Sequence, residues 1–120
     1  MCLSRAESSA GETEVAGVWF EWHGCGYFAG GIDGGLNYVV TADKLTYSTD
    51  TTVAQASANL SQARTQLTGC SGDSTKGYFA GGSTNGISGI TTANKLTYAT
   101  DATTAQTTAN LSQARYGLAG

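Results

Sequence analysis

Hydrophobic positions along this chain come in short groups, not in long helical stripes. Tyr27-Phe28-Ala29 and Tyr78-Phe79-Ala80 each run into a glycine pair, and Lys44-Leu45-Thr46-Tyr47-Ser48 alternates polar with apolar. Aromatic β-formers bounded by glycine predict strands. A period of two predicts a further strand with Leu45 and Tyr47 on one face, and Leu96 and Tyr98 repeat that pattern. Val18, Phe20 and Trp22 alternate in the same way and predict a strand near the start. Gly30 to Gly35 and Gly81 to Gly86 read as loops, their paired glycines suiting close backbone approach or positive φ. Thr49-Asp50-Thr51-Thr52 and Thr100-Asp101-Ala102-Thr103 read as tight turns in which Asp bonds the backbone ahead of it.

One stretch gives two answers. Val53, Ala56, Leu60, Ala63 and Leu67 are spaced for one helical face, among good helix formers. The corresponding stretch Thr103-Thr104-Ala105-Gln106-Thr107-Thr108-Ala109 is rich in β-branched Thr, which disfavours a helix interior. The strand reading is preferred.

That correspondence extends over most of the chain. Gly26-Tyr27-Phe28-Ala29-Gly30-Gly31 returns as Gly77-Tyr78-Phe79-Ala80-Gly81-Gly82, Lys44 to Tyr47 as Lys95 to Tyr98, and Asn59 to Arg64 as Asn110 to Arg115. Each offset is 51, and residues 26–69 laid over 77–120 agree at 27 of 44 positions. This is a tandem duplication, and a period near 50 suits a four-stranded propeller unit.

The order of features resembles the kelch repeat of β-propellers, in which one strand ends in a Gly-Gly doublet and a later strand carries a Tyr. Gly30-Gly31 and Gly81-Gly82 match the doublet, and Tyr47 and Tyr98 match the aromatic. Arg64 and Arg115 stand where such units often open with Arg, while Ala54 and Ala105 replace the motif's Trp. The resemblance spans residues 15–120. It implies an all-β fold of two kelch-like four-stranded blades plus one extra strand, a partial propeller. The expected divisions are a mobile tail over 1–14, a first blade over 15–62, a second over 63–113, and the opening strand of a further blade over 114–120. Propellers close with about four to eight units. A homo-oligomer, or membership of a longer repeat array, is therefore expected.

Composition narrows the functional classes. Thr, Ala, Gly and Ser together make up more than half of the 120 residues, so the core is expected to be thin. The formal net charge is -3 with 12% charged residues, the opposite of the clustered Lys and Arg that bind nucleic acid. No run approaches the length of a membrane span, and the first 14 residues lack the apolar core of a secretory signal. Three cysteines are no disulfide framework; a Cys25–Cys70 bridge is one option, and unbridged, partly buried thiols are the preferred one.

Candidate chemistry is sparse. His23 is the single histidine, and Glu21, His23 and Cys25 alternate onto one side of an extended strand. No counterpart in the second repeat supports a metal site there. The five Asp residues fall in loops and turns, where Asp ordinarily caps the backbone. The glycine-rich loops lack the Gly-Lys-Ser/Thr ending of a phosphate cradle. Asn59-Leu60-Ser61 and Asn110-Leu111-Ser112 satisfy the glycosylation triplet, the second as a copy of the first. No enzyme activity, cofactor, metal, nucleic acid or membrane is expected. The resemblance implies a non-catalytic module that binds a protein or carbohydrate partner through loops. The contact residues expected are Ile32, Asp33, Asn37, Ser83, Thr84, Asn85 and Ser88, where the two repeats differ most. The alternative is a structural repeat segment of a larger surface or appendage protein with no ligand of its own.

Overall fold

Seven strands and two single turns of 3₁₀ helix follow one another in the computed structural model, which describes residues 24–120. In the first repeat β1 (Cys25–Ala29), β2 (Ala42–Thr46) and β3 (Thr51–Ala54) form an antiparallel sheet in that order. In the second, β4 (Thr68–Ser71), β5 (Lys76–Ala80), β6 (Ala93–Thr97) and β7 (Ala102–Ala105) form a four-stranded antiparallel sheet, again in chain order. The chain is all-β over the described residues, and the duplication is visible in the register. Tyr27 pairs with Lys44 and Tyr78 with Lys95, while Leu45 pairs with Thr52 and Leu96 with Thr103.

The stretch that read two ways contains no α-helix. Thr51–Ala54 is strand, Ala56–Ala58 is a 3₁₀ turn, and the chain then runs irregularly; Ala102–Ala105 and Thr107–Ala109 repeat this. The tight turns sit two residues earlier than expected, over Tyr47–Asp50 in the first repeat. Asp50 and Asp101 close them at φ 54° and 53°, a left-handed conformation that a short polar side chain tolerates, and the Thr and Ala that follow are released into strands.

Residues 114–120 form no strand. Arg115 makes an isolated bridge with Ile90, and Gly117 N–H donates to Gln66 O. The strand expected around Val18, Phe20 and Trp22, the tail over 1–14 and the Glu21 and His23 positions lie outside the described residues.

The core sits between the sheets. Ala42 and Ala58 from the first repeat meet Leu96 and Tyr98 from the second, with Tyr27, Ala29 and Phe79 packed against them. The Tyr27 and Tyr98 rings stack with centroids 6.1 Å apart and planes 7° from parallel. Small residues over the first sheet are what allow two backbones this close to enclose a Tyr pair.

Candidate functional site

Two loops project side by side, one from each repeat. In the first, the Asp33 carboxylate accepts the amides of Gly35 and Asn37, each at 2.9 Å, and the Asn37 side chain as well. These bonds hold the Asp33 carboxyl below its ordinary value, the Asn37 amide contributing most. They also hold Leu36 at φ 66°, an unfavourable backbone for a bulky side chain, with its side chain 81% exposed. The second loop uses different groups for the same purpose. The Ser83 hydroxyl accepts the amides of Asn85 and Gly86, and the Asn85 side-chain oxygen accepts those of Ile87 and Ser88. Ile87, which stands 51 residues after Leu36, is 77% exposed. The loops touch, because the Tyr38 hydroxyl lies where a Cβ on Gly86 would stand, at 2.5 Å.

The contact residues read from the sequence thus divide. Ile32, Asp33, Asn37, Asn85 and Ser88 are exposed and Thr84 is half-buried. Ser83 is fully buried and pairs through its backbone with Thr65, so it fastens the loop and offers no surface. Leu36 and Ile87 lie inside the two loops, 32–37 and 83–88, to which those contact residues belong; an aliphatic residue at one offset, amid Gly, Asn, Asp and Ser, is the signal that marks them.

A second set of polar groups joins the sheets. Lys44 Nζ lies 2.9 Å from Asp101 Oδ2, and Tyr27 OH donates to Asp101 Oδ1. Burial works against the Lys44 ammonium, but the hydrogen bond and charge of Asp101 outweigh it and hold its pKa above the ordinary lysine value. Arg64, fully buried, donates from Nη1 to Thr92 O at 2.9 Å and from Nη2 to Asn94 Oδ1 at 2.5 Å. Burial lowers the Arg64 pKa from its ordinary value. Ser61 Oγ donates to the same Asn94 oxygen at 3.2 Å, and the Thr103 hydroxyl donates to Asn59 O. Among the described residues, Arg64 Nε and Asn94 Nδ2 are buried without a partner. The Asn residues of the two glycosylation triplets have structural duties: Asn59 Oδ1 accepts Ala42 N–H and Asn110 Oδ1 accepts Ala93 N–H, both at 2.9 Å.

A cleft of about 350 Å³ is lined by residues of both sheets, Tyr27, Phe28, Tyr47, Tyr78, Phe79 and Tyr98 together with smaller residues. Cys25, buried, and Cys70, exposed, both reach it and are not bridged to each other. Among the described residues no three His, Cys, Asp or Glu side chains are grouped to hold a metal ion. No protein-family model matches the chain, and no curated protein matches it.

Proposed function

We propose that this chain is a non-catalytic binding module whose two sheets are neighbouring kelch-like blades and whose paired loops recognise a protein partner. The single observation that carries the reading is the pair Leu36 and Ile87. Two large aliphatic side chains stand almost fully exposed at equivalent positions on adjacent loops. Each loop is held rigid by its own side chain-to-backbone bonds. Holding Leu36 at positive φ costs about 1–3 kcal/mol, and such strain gathers at binding and switch sites. Preorganised apolar tips suit a protein surface, where ordering costs are saved and apolar area is removed from water.

The test is selection against a displayed peptide library beside a glycan array, using the chain and a Leu36→Ser/Ile87→Ser variant. Peptide binding that the double variant loses supports the reading. Binding confined to glycans, or binding to neither, contradicts it; the second result is what the structural-segment alternative expects.

A further inference from the structure

We infer that the two outward faces of the paired sheets are complementary halves of one interface, and that their partner is a second copy of this chain, docked head to tail. The inference rests on the reading of the sheets as stacked repeat units and is independent of what the loops bind.

The seam between the sheets is made by groups of the first repeat on one side and of the second on the other. Because the repeats match at an offset of 51, each polar group in that seam has an equivalent in the other repeat. Lys44 meets Asp101 inside the chain; their equivalents are Lys95 on the second sheet and Asp50 on the first. Tyr27 meets Asp101 and stacks on Tyr98; the equivalents are Tyr78, and Asp50 with Tyr47. Arg64 meets Thr92 and Asn94; the equivalents are Arg115, and Thr41 with Asp43. Thr103 donates to Asn59 O; the equivalents are Thr52 and Asn110. Ser61 donates to Asn94; the equivalents are Ser112 and Asp43.

All but one of these ten equivalents keep the residue type, and the exception improves the match. Where Arg64 finds the neutral Asn94, Arg115 of one copy would find the carboxylate of Asp43 on the next, a stronger charge-assisted partner. Burial differs as the inference requires. Arg64 and Tyr98 are buried, whereas Arg115 is exposed and Tyr47 is 51% exposed. Among the described residues, the side chains of Asp43, Asp50, Lys95 and Arg115 have no hydrogen-bond or ion-pair partner. The charges are segregated: the first sheet's outer face offers two carboxylates and the second sheet's offers two cations. Such an interface joins unlike faces, so it propagates until a ring or a filament forms.

The experiment is sedimentation velocity on the 120-residue chain and on two variants, Arg115→Glu and Asp43→Arg, each block affecting one face. The chain is expected to assemble with concentration into multiples of 12.2 kDa, less so in high salt. Each variant alone is expected to assemble about tenfold or more weakly. Mixed, they should regain assembly, because alternating copies pair the native Arg115 with the native Asp43 at one seam and the two reversed charges with each other at the next. Circular dichroism checks that both variants fold, and the milder Arg115→Gln and Asp50→Asn are expected to weaken assembly in the same direction. A chain that stays monomeric at hundreds of micromolar, variants that assemble like the parent, or a mixture that assembles no better than either variant alone would overturn the inference. Leu36→Ser/Ile87→Ser should assemble normally, which separates this failure from failure of the loop reading.

Discussion

Lys44 and Asp101 are 57 residues apart in the chain, yet their charged atoms lie 2.9 Å apart across the seam between the two sheets. Both side chains are largely shielded, with 7% and 13% of their surface exposed. Tyr27 donates to the same carboxylate and lays its ring on Tyr98, so one turn of the second repeat collects a charge, a hydroxyl and a stacked ring from the first. The bond lies between repeats and belongs to neither alone.

Asp101→Asn keeps a residue that accepts the positive φ of this turn while removing the charge. It is expected to lower unfolding stability by about 2–3 kcal/mol, between the worth of an exposed pair and of a fully buried one. The pH dependence has a definite sign. The Lys44 pKa is raised on folding, so its contribution is complete below 10.5 and is lost as pH rises beyond that through the folded-state value. Urea unfolding of the parent at increasing alkaline pH should therefore show a loss that Asp101→Asn does not.

Asn94→Asp is expected to stabilise the chain by about 1 kcal/mol at neutral pH. The parent leaves Asn94 Nδ2 and Arg64 Nε buried and, among the described residues, unpartnered, and a carboxylate replaces an orphaned donor by an acceptor for the guanidinium. Thermal unfolding checks it, with Arg64→Met as the opposite case: that variant strands Asn94 and should melt well below the parent.

Gly82 and Gly31 are equivalent positions with different surroundings. Both have positive φ, at 99° and 113°, but a Cβ on Gly82 would lie 2.7 Å from Thr65 O, whereas one on Gly31 would meet nothing within 4 Å among the described residues. Gly82→Ala should cost about 2–4 kcal/mol and Gly31→Ala about 1–2 kcal/mol. Chemical denaturation of the two variants side by side reads the difference.

Asp73 anchors the β4–β5 turn, accepting Lys76 Nζ at 2.7 Å and the Thr75 hydroxyl at 2.6 Å. The Lys76 bond first, then those from Thr75, hold its carboxyl far below the ordinary value of 3.8. The support it gives the turn is present above 3.8 and is lost as pH falls through the folded-state value. In a carboxyl-detected NMR titration the Asp73 signal should shift well below 3.8, and Lys76→Ala should return it toward that value.

The sequence carries the architecture further than the site. The offset of 51 makes two equivalent antiparallel units legible, because strand-forming aromatics and glycine pairs recur intact. The turns are displaced by two residues, since Asp50 and Asp101 take the positive φ themselves and leave the following Thr free to pair. The strand expected over 114–120 is reduced to one bridge, the backbone there bonding Ile90 and Gln66 in place of a strand partner. Asp33 and Asn85 are legible as backbone caps from residue type. Their consequence, that Leu36 and Ile87 are pushed outward, is not, because aliphatic residues alone suggest core. Ser83 is misjudged for the converse reason: a polar residue in a loop is buried as the fastening of that loop. The Lys44–Asp101 and Arg64–Asn94 bonds are invisible to local patterning, as both partners lie in different repeats.

The account depends on the two repeats packing face to face in solution, and proton–proton contacts between the Tyr27 and Tyr98 rings test that most directly. With centroids 6.1 Å apart, cross-peaks between these rings are expected, and Asp101→Asn should weaken them. Spectra showing contacts within each sheet, such as Gly26 with Tyr47 and Gly77 with Tyr98, but none from Tyr27 to Tyr98 would contradict it.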